Sequence, residues 1–253
     1  MISCDNNKKL LFNCNQIMYK NILSFLSKAK NILVLGKGKL QQNIKCIENK
    51  YDICVGVKQS IAILKKKDIL VMNDFEGLFG LENCISEIKF ILCPAKVHLA
   101  HEPINNKLLY TYLHKHNFKG EIVLYEIYTN CDQNPSLEYV NLVSSGDVIF
   151  HFINKCSNAH KKCIDVYGIY TCLEDNNKIK NIIVNAKISQ KYIKLFLSYL
   201  KRVYTNKKKI NMKCLYLCDD DNISTEITIK HRMLERQNML KIQYPKLRII
   251  FIH

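Results

Sequence analysis

His98 and His101 stand three residues apart, with Glu102 adjacent, directly after an apolar run. An imidazole there could serve as a general base near neutral pH or ligate a metal. Spacing sets no third ligand, so the competing account is a solvated polar loop, and no metal is expected. The other chemistry-bearing side chains have simpler explanations. His114, His116 and His160 fall at expected helix ends, where a cationic side chain complements the helix dipole, and His151 lies inside an expected helix. Cys214 and Cys218 are four apart on a strand-like run with no second pair of matching spacing, which opposes a zinc knuckle. Asp219, Asp220 and Asp221 could hold a divalent ion, yet beside Asn222 they read as a turn and helix cap.

A second group of residues suits phosphate. Gly36-Lys37-Gly38-Lys39 closes one apolar run, Asn73-Asp74-Phe75-Glu76-Gly77 closes another, Ser144-Ser145-Gly146 opens an expected helix, and Gly168 tips a further run. A strand that stops at glycine, or a helix that begins at Ser-Ser-Gly, leaves backbone N–H groups free to meet a phosphate or a nucleotide. The Gly-x-Gly turn lacks the third glycine of the dinucleotide fingerprint and the Gly-Lys-Ser/Thr ending of a P-loop, so a tight strand-to-helix turn explains it equally well. The candidate nucleotide-binding residues are therefore Gly36, Lys37, Gly38, Asn73, Asp74, Ser144, Ser145, Gly146 and Gly168. His98 is the candidate catalytic base.

The elements that must position these residues follow from periodicity. Apolar runs at 31–36, 52–57, 68–73, 88–94, 121–125, 163–168 and 212–218 are continuous, as in a sheet covered on both faces. Helical patterns at 40–48, 59–66, 104–116, 145–160 and 189–204 fall between them. This order predicts an α/β fold with a doubly wound, mainly parallel, Rossmann-like sheet. The expected division is a helical lead-in over 1–30, a nucleotide-binding α/β domain over 31–218, and a short basic C-terminal extension over 219–253 with a helix and a closing strand at 247–252. Doubly wound sheets bind ligands at the carboxyl ends of their strands, so the glycine turns, Asn73, Asp74 and His98 should share one rim. The second strand ends in Val57-Lys58-Gln59-Ser60, without the acid that holds ribose hydroxyls in nicotinamide and S-adenosylmethionine folds. That absence counts against both cofactors.

The order of these features resembles the bacterial lipooligosaccharide sialyltransferases. In that family a Gly-Asn-Gly-Pro-Ser turn, an asparagine after the third strand and a Thr-Ser-Gly helix start surround the cytidine monophosphate of the donor. The matching positions are Gly36-Lys37-Gly38, Asn73 and Ser144-Ser145-Gly146, with Tyr167-Gly168-Ile169 where the family has Ser-Gly-Ile. The likeness spans roughly residues 31–220, and its motifs are short. It implies a glycosyltransferase-like protein binding a nucleotide or nucleotide-sugar such as a CMP-sialic acid-type donor, with no cofactor or metal. Two departures stand out. Lys37 replaces the turn's asparagine, and no serine follows at Lys39-Leu40. The position matching the family's catalytic histidine is Asn185, and an amide cannot cycle a proton near neutral pH. The likeness therefore implies an inactive or repurposed relative, or a base from another loop, such as His98. The alternatives are a non-catalytic nucleotide- or polyanion-binding protein on the same fold and an S-adenosylmethionine-dependent methyltransferase.

Composition bounds the partners. A chain of 253 residues, 48% hydrophobic, can bury a full core. Lys plus Arg number 38 against 22 Asp plus Glu, a formal charge of +16 that favours an acidic polymer or nucleic acid. Abundant Lys, Ile and Asn without Trp also fit an AT-rich coding sequence, which would make much of that charge a solvated surface. Twelve cysteines, several inside expected strands, together with a polar stretch at 1–15, point to reduced thiols and a cytoplasmic location. No apolar run approaches the roughly 20 residues of a membrane span.

Overall fold

The structure, a computed structural model, describes residues 4–38, 44–95, 97–99, 102–103, 107–127, 138–140, 146–167 and 226–252. The expected helix at 189–204, the strand at 212–218, and Ser144, Ser145, Gly168, Asn185 and the 219–221 triplet lie outside these residues. In chain order the elements are α1 (Cys4–Lys28), β1 (Asn31–Leu35), α2 (Ile44–Ile47), β2 (Ile53–Val57), β3 (Ile69–Val71), β4 (Phe90–Pro94), β5 (His98–Leu99) and β6 (Glu102–Pro103). They continue with α3 (Lys107–Lys115), β7 (Glu121–Ile127), β8 (Glu138–Val140), α4 (Asp147–Asn154), β9 (Cys163–Tyr167), α5 (Glu226–Gln243) and β10 (Arg248–Ile252).

Among the described residues, eight strands form one sheet in the order β10-β9-β1-β2-β3-β4-β7-β8, and every pairing in it is parallel. The expected doubly wound, Rossmann-like α/β sheet is thus the observed one. Its continuous apolar runs reflect burial on both faces. Ile32, Val34, Val55 and Val71 face one layer with residues of α1, α4 and α5, including Ile22, Leu26, Phe150, Phe152 and Leu240. Leu33, Leu35, Cys54, Leu70 and Ile91 face the other, with α3 and the short 3₁₀ turns. The C-terminal residues supply α5 and then β10, which lies against β9 at the sheet edge.

Several expected helices are shorter than their patterns. Residues 59–66 form a 3₁₀ turn, Lys58–Ile63, rather than an α-helix. The cause is close packing back onto β2: a Cβ on Gly56 would stand 2.4 Å from the Ile61 backbone, so only glycine admits the turn. The pattern at 40–48 yields α2 and a 3₁₀ turn at Glu48–Lys50. That at 145–160 ends at Asn154, followed by a separate turn at Ala159–Lys161.

Candidate ligand site at the carboxyl rim

Strand order sets where a ligand belongs. From β1 the chain steps steadily through β2, β3, β4, β7 and β8, then returns through α4 to place β9 on the opposite side of β1. The switch point of the sheet therefore lies between β1 and β9, the position where open parallel sheets receive ligands. Pairing there runs past the end of β1, because Gly36 N–H donates to Tyr167 O at 2.7 Å. Gly36 is buried, whereas Lys37 and Gly38 are half-buried.

Neighbouring strands end in register. Leu35 pairs with Gly56, Gly56 with Leu70, and Val57 with Val71, so Gly36, Lys58 and the Met72-Asn73-Asp74 segment emerge side by side. Lys58 adopts φ 54, a left-handed conformation that costs a non-glycine residue free energy. The turn that holds it is fixed by Ser60, whose Oγ lies 2.6 Å from Leu35 O and 2.9 Å from Val57 O. From this position the Lys58 ammonium reaches Asp74 Oδ2 at 2.9 Å, linking the ends of β2 and β3. Gly77 clears the route, since a Cβ there would meet Met72 Cβ at 3.0 Å and Lys58 Cγ at 3.4 Å.

Asn73 is anchored from below. The Tyr125 hydroxyl, on β7, donates to Asn73 Oδ1 and also lies 3.3 Å from Met72 O. Burial above all, with Cys93 and Asp74 adding to it, pushes the Tyr125 phenol well above its ordinary range, so it remains a donor at neutral pH. With Oδ1 engaged, the Asn73 amide nitrogen has no hydrogen-bond partner among the described residues.

Of the remaining candidates, Gly146 immediately precedes α4. Because α4 leads into the amino end of β9, its own N-terminus lies at the carboxyl end of the sheet, on the same side as the glycine turn. Asp147, 1% exposed in the first turn, already provides a carboxylate to that helix terminus. The backbone of His98 lies in the small antiparallel β5–β6 ribbon, where His98 pairs with Pro103, and β5 runs beside the Phe75–Leu78 turn that follows Asp74. His101 lies outside the described residues. His116 stacks on Tyr112 at 4.6 Å between ring centroids, and burial lowers its pKa, a packing role on the α3 face.

One residue of this rim escaped the sequence reading. Lys58 carries no signal of a left-handed turn, because lysine rarely adopts one. The ion pair brings the Asp74 carboxylate, at the end of β3, beside the end of β2. Among the described residues no group of three His, Cys, Asp or Glu is arranged to hold a metal ion. No helix among them is long and apolar enough to cross a membrane. Fold and rim together define a Rossmann-like α/β protein whose glycine turn, Lys58–Asp74 ion pair and anchored Asn73 line the carboxyl end of the sheet. No protein-family model, curated protein or solved structure matches the chain.

Proposed function

We propose that the chain binds a nucleotide or nucleotide-sugar at the carboxyl rim and acts as a glycosyltransferase-like protein. The reading is carried by one observation: strand order reverses between β1 and β9, where Gly36-Lys37-Gly38 ends the central strand. The Gly36 N–H is engaged with Tyr167 O, so phosphate on that turn would meet backbone N–H groups after Gly36 and the Lys37 side chain. The sialyltransferase resemblance makes cytidine monophosphate the expected nucleotide, with Asn73 as a neighbouring contact. In transfer, the acceptor hydroxyl loses its proton to a base and its oxygen bonds to the anomeric carbon. The bond from that carbon to the donor phosphate breaks, and the phosphate leaves with the negative charge that the rim stabilises. His98 is the candidate base.

A thermal-shift panel of nucleoside monophosphates tests the reading, because a ligand that binds only the folded state raises the midpoint with occupancy. Cytidine monophosphate should raise it most. Gly38→Val should abolish the shift by blocking close backbone approach. An unchanged nucleotide affinity in folded G38V would remove the site from this turn. His98→Ala should lower any transfer by roughly 10²- to 10⁴-fold while leaving binding intact, as expected on loss of a general base. Asn185, at the position matching the family's histidine, favours a second reading in which the protein holds a nucleotide or polyanion without turnover. Retained binding with no transfer in either form would select it.

A further inference from the structure

Phosphate binding at the glycine turn does not require the Lys58–Asp74 ion pair, yet three features are built around it. Lys58 is held at φ 54, Gly56 and Ser60 lock the turn that bears it, and Gly77 clears a path for its stem. A lysine kept in a left-handed conformation marks a place where position outweighs local stability. The pair occupies the ends of β2 and β3, and in dinucleotide-binding parallel sheets an acid at the end of the second strand hydrogen-bonds the ribose 2′-hydroxyl.

We propose that Asp74, held in place by Lys58, accepts a hydrogen bond from the ribose 2′-hydroxyl of the bound nucleotide and so replaces the acid that β2 lacks. This assignment rests on the nucleotide reading of the rim. Asp74 Oδ2 is committed to Lys58, while Oδ1 has no hydrogen-bond partner among the described residues and the side chain is 27% exposed. One carboxylate oxygen is thus fixed and the other is available to accept from a single hydroxyl. From β1 to β3 is two strand spacings, about 10 Å. A 5′-phosphate on the Gly36–Gly38 turn and a ribose 2′-hydroxyl at Asp74, each with its hydrogen bond, cover a distance of that order.

The test compares cytidine 5′-monophosphate with its 2′-deoxy counterpart by isothermal titration against the full chain. Wild-type protein should bind the ribonucleotide roughly 10- to 100-fold more tightly, the size of a hydrogen bond to a charged group. Asp74→Ala should weaken the ribonucleotide to the level of the deoxynucleotide and leave the latter unchanged, and Asp74→Asn, which keeps a neutral acceptor, should fall between. Lys58→Met, which releases Asp74 while keeping the stem, should erase most of the discrimination. A merely structural pair would weaken both ligands equally, and that outcome overturns the assignment. Equal wild-type affinity for the two ligands also overturns it while the nucleotide reading stands. Failure of wild-type protein to bind any of the four ribonucleoside monophosphates overturns both. Far-ultraviolet circular dichroism of each variant separates loss of the contact from loss of the fold.

Discussion

At the amino end of the sheet, Asp52, Glu48 and Asp68 each accept from backbone N–H groups. Asp52 Oδ2 accepts from Lys30 N–H at 2.7 Å and Asn31 N–H at 2.9 Å, and these bonds hold its carboxyl below the usual range. Fully buried Glu48 accepts from the backbone of Lys65 and Lys66, and Asp68 accepts from Cys54 N–H at 3.0 Å and from Lys89 Nζ at 2.6 Å. Lys162, 1% exposed, donates its three protons to Leu26, Ser27 and Ala29 carbonyls at the C-terminus of α1. At the carboxyl end the pattern reverses. Asp74 is satisfied by a side chain at one oxygen, Asn73 is satisfied at one end of its amide, and Lys58 stands in a strained turn. A carboxylate bound to backbone is tied to the fold itself. One bound to a lysine can share its second oxygen with a ligand.

The largest effect expected from this contrast is on stability at the amino end. Glu48→Ala leaves two backbone N–H groups without their acceptor in a buried site, each originally bonded to a charged group, and should cost about 3 kcal/mol. Asp74→Ala, which breaks a partly buried ion pair, should cost less, about 1 kcal/mol. Urea unfolding midpoints at unchanged slope measure both. If the two substitutions cost the same, the two ends are not different in kind.

A smaller effect tests the strain at the rim. Lys58→Gly gives up the ion pair but places at φ 54 the residue that tolerates it, so the two changes should offset within about 0.5 kcal/mol. Nucleotide affinity should fall in the same variant. A loss of stability well beyond that margin would mean Lys58 is retained for the fold and not for the rim.

Strands were legible because burial on both faces removes alternation: the runs at 31–36 and 163–168 read as continuous and pair as β1 and β9. The 59–66 segment misled because apolar residues at helical spacing also suit a 3₁₀ turn when a glycine opposite admits close approach, and Gly56 lies outside the pattern that is read. At the rim, Gly36 and Asn73 announced themselves as strand ends. That Asp74 stands beside the end of β2 is not legible in the sequence, because the pairing of β2 with β3 and the left-handed turn at Lys58 bring the two together. Tyr125 gave no signal at all, since its bond to Asn73 links residues 52 apart that only the sheet brings together.

The finest discrimination between the two ends comes from two buried thiols. Cys54 is the second residue of β2, toward the amino end, and Cys93 is the fourth of β4, toward the rim. Both are 0% exposed and face the same layer. Burial pushes each up to about 12, with Asp68 and Glu48 also raising Cys54. Their thiolate fractions at pH 8 are therefore alike and very small, and each should rise about tenfold per pH unit below that value. A difference in alkylation rate then reports access through local opening rather than chemistry. With an iodoacetamide pulse followed by peptide mass mapping, exposed Cys46 should react first, Cys93 several-fold faster than Cys54, and Cys54 only near the rate of global unfolding. Saturating cytidine monophosphate should slow Cys93, because a ligand on the rim suppresses opening there, and should slow Cys54 as well, because global unfolding releases the ligand. Equal rates for the two thiols, with equal protection by nucleotide, would show that the sheet opens as one unit and that the carboxyl end has no separate freedom to give up on binding.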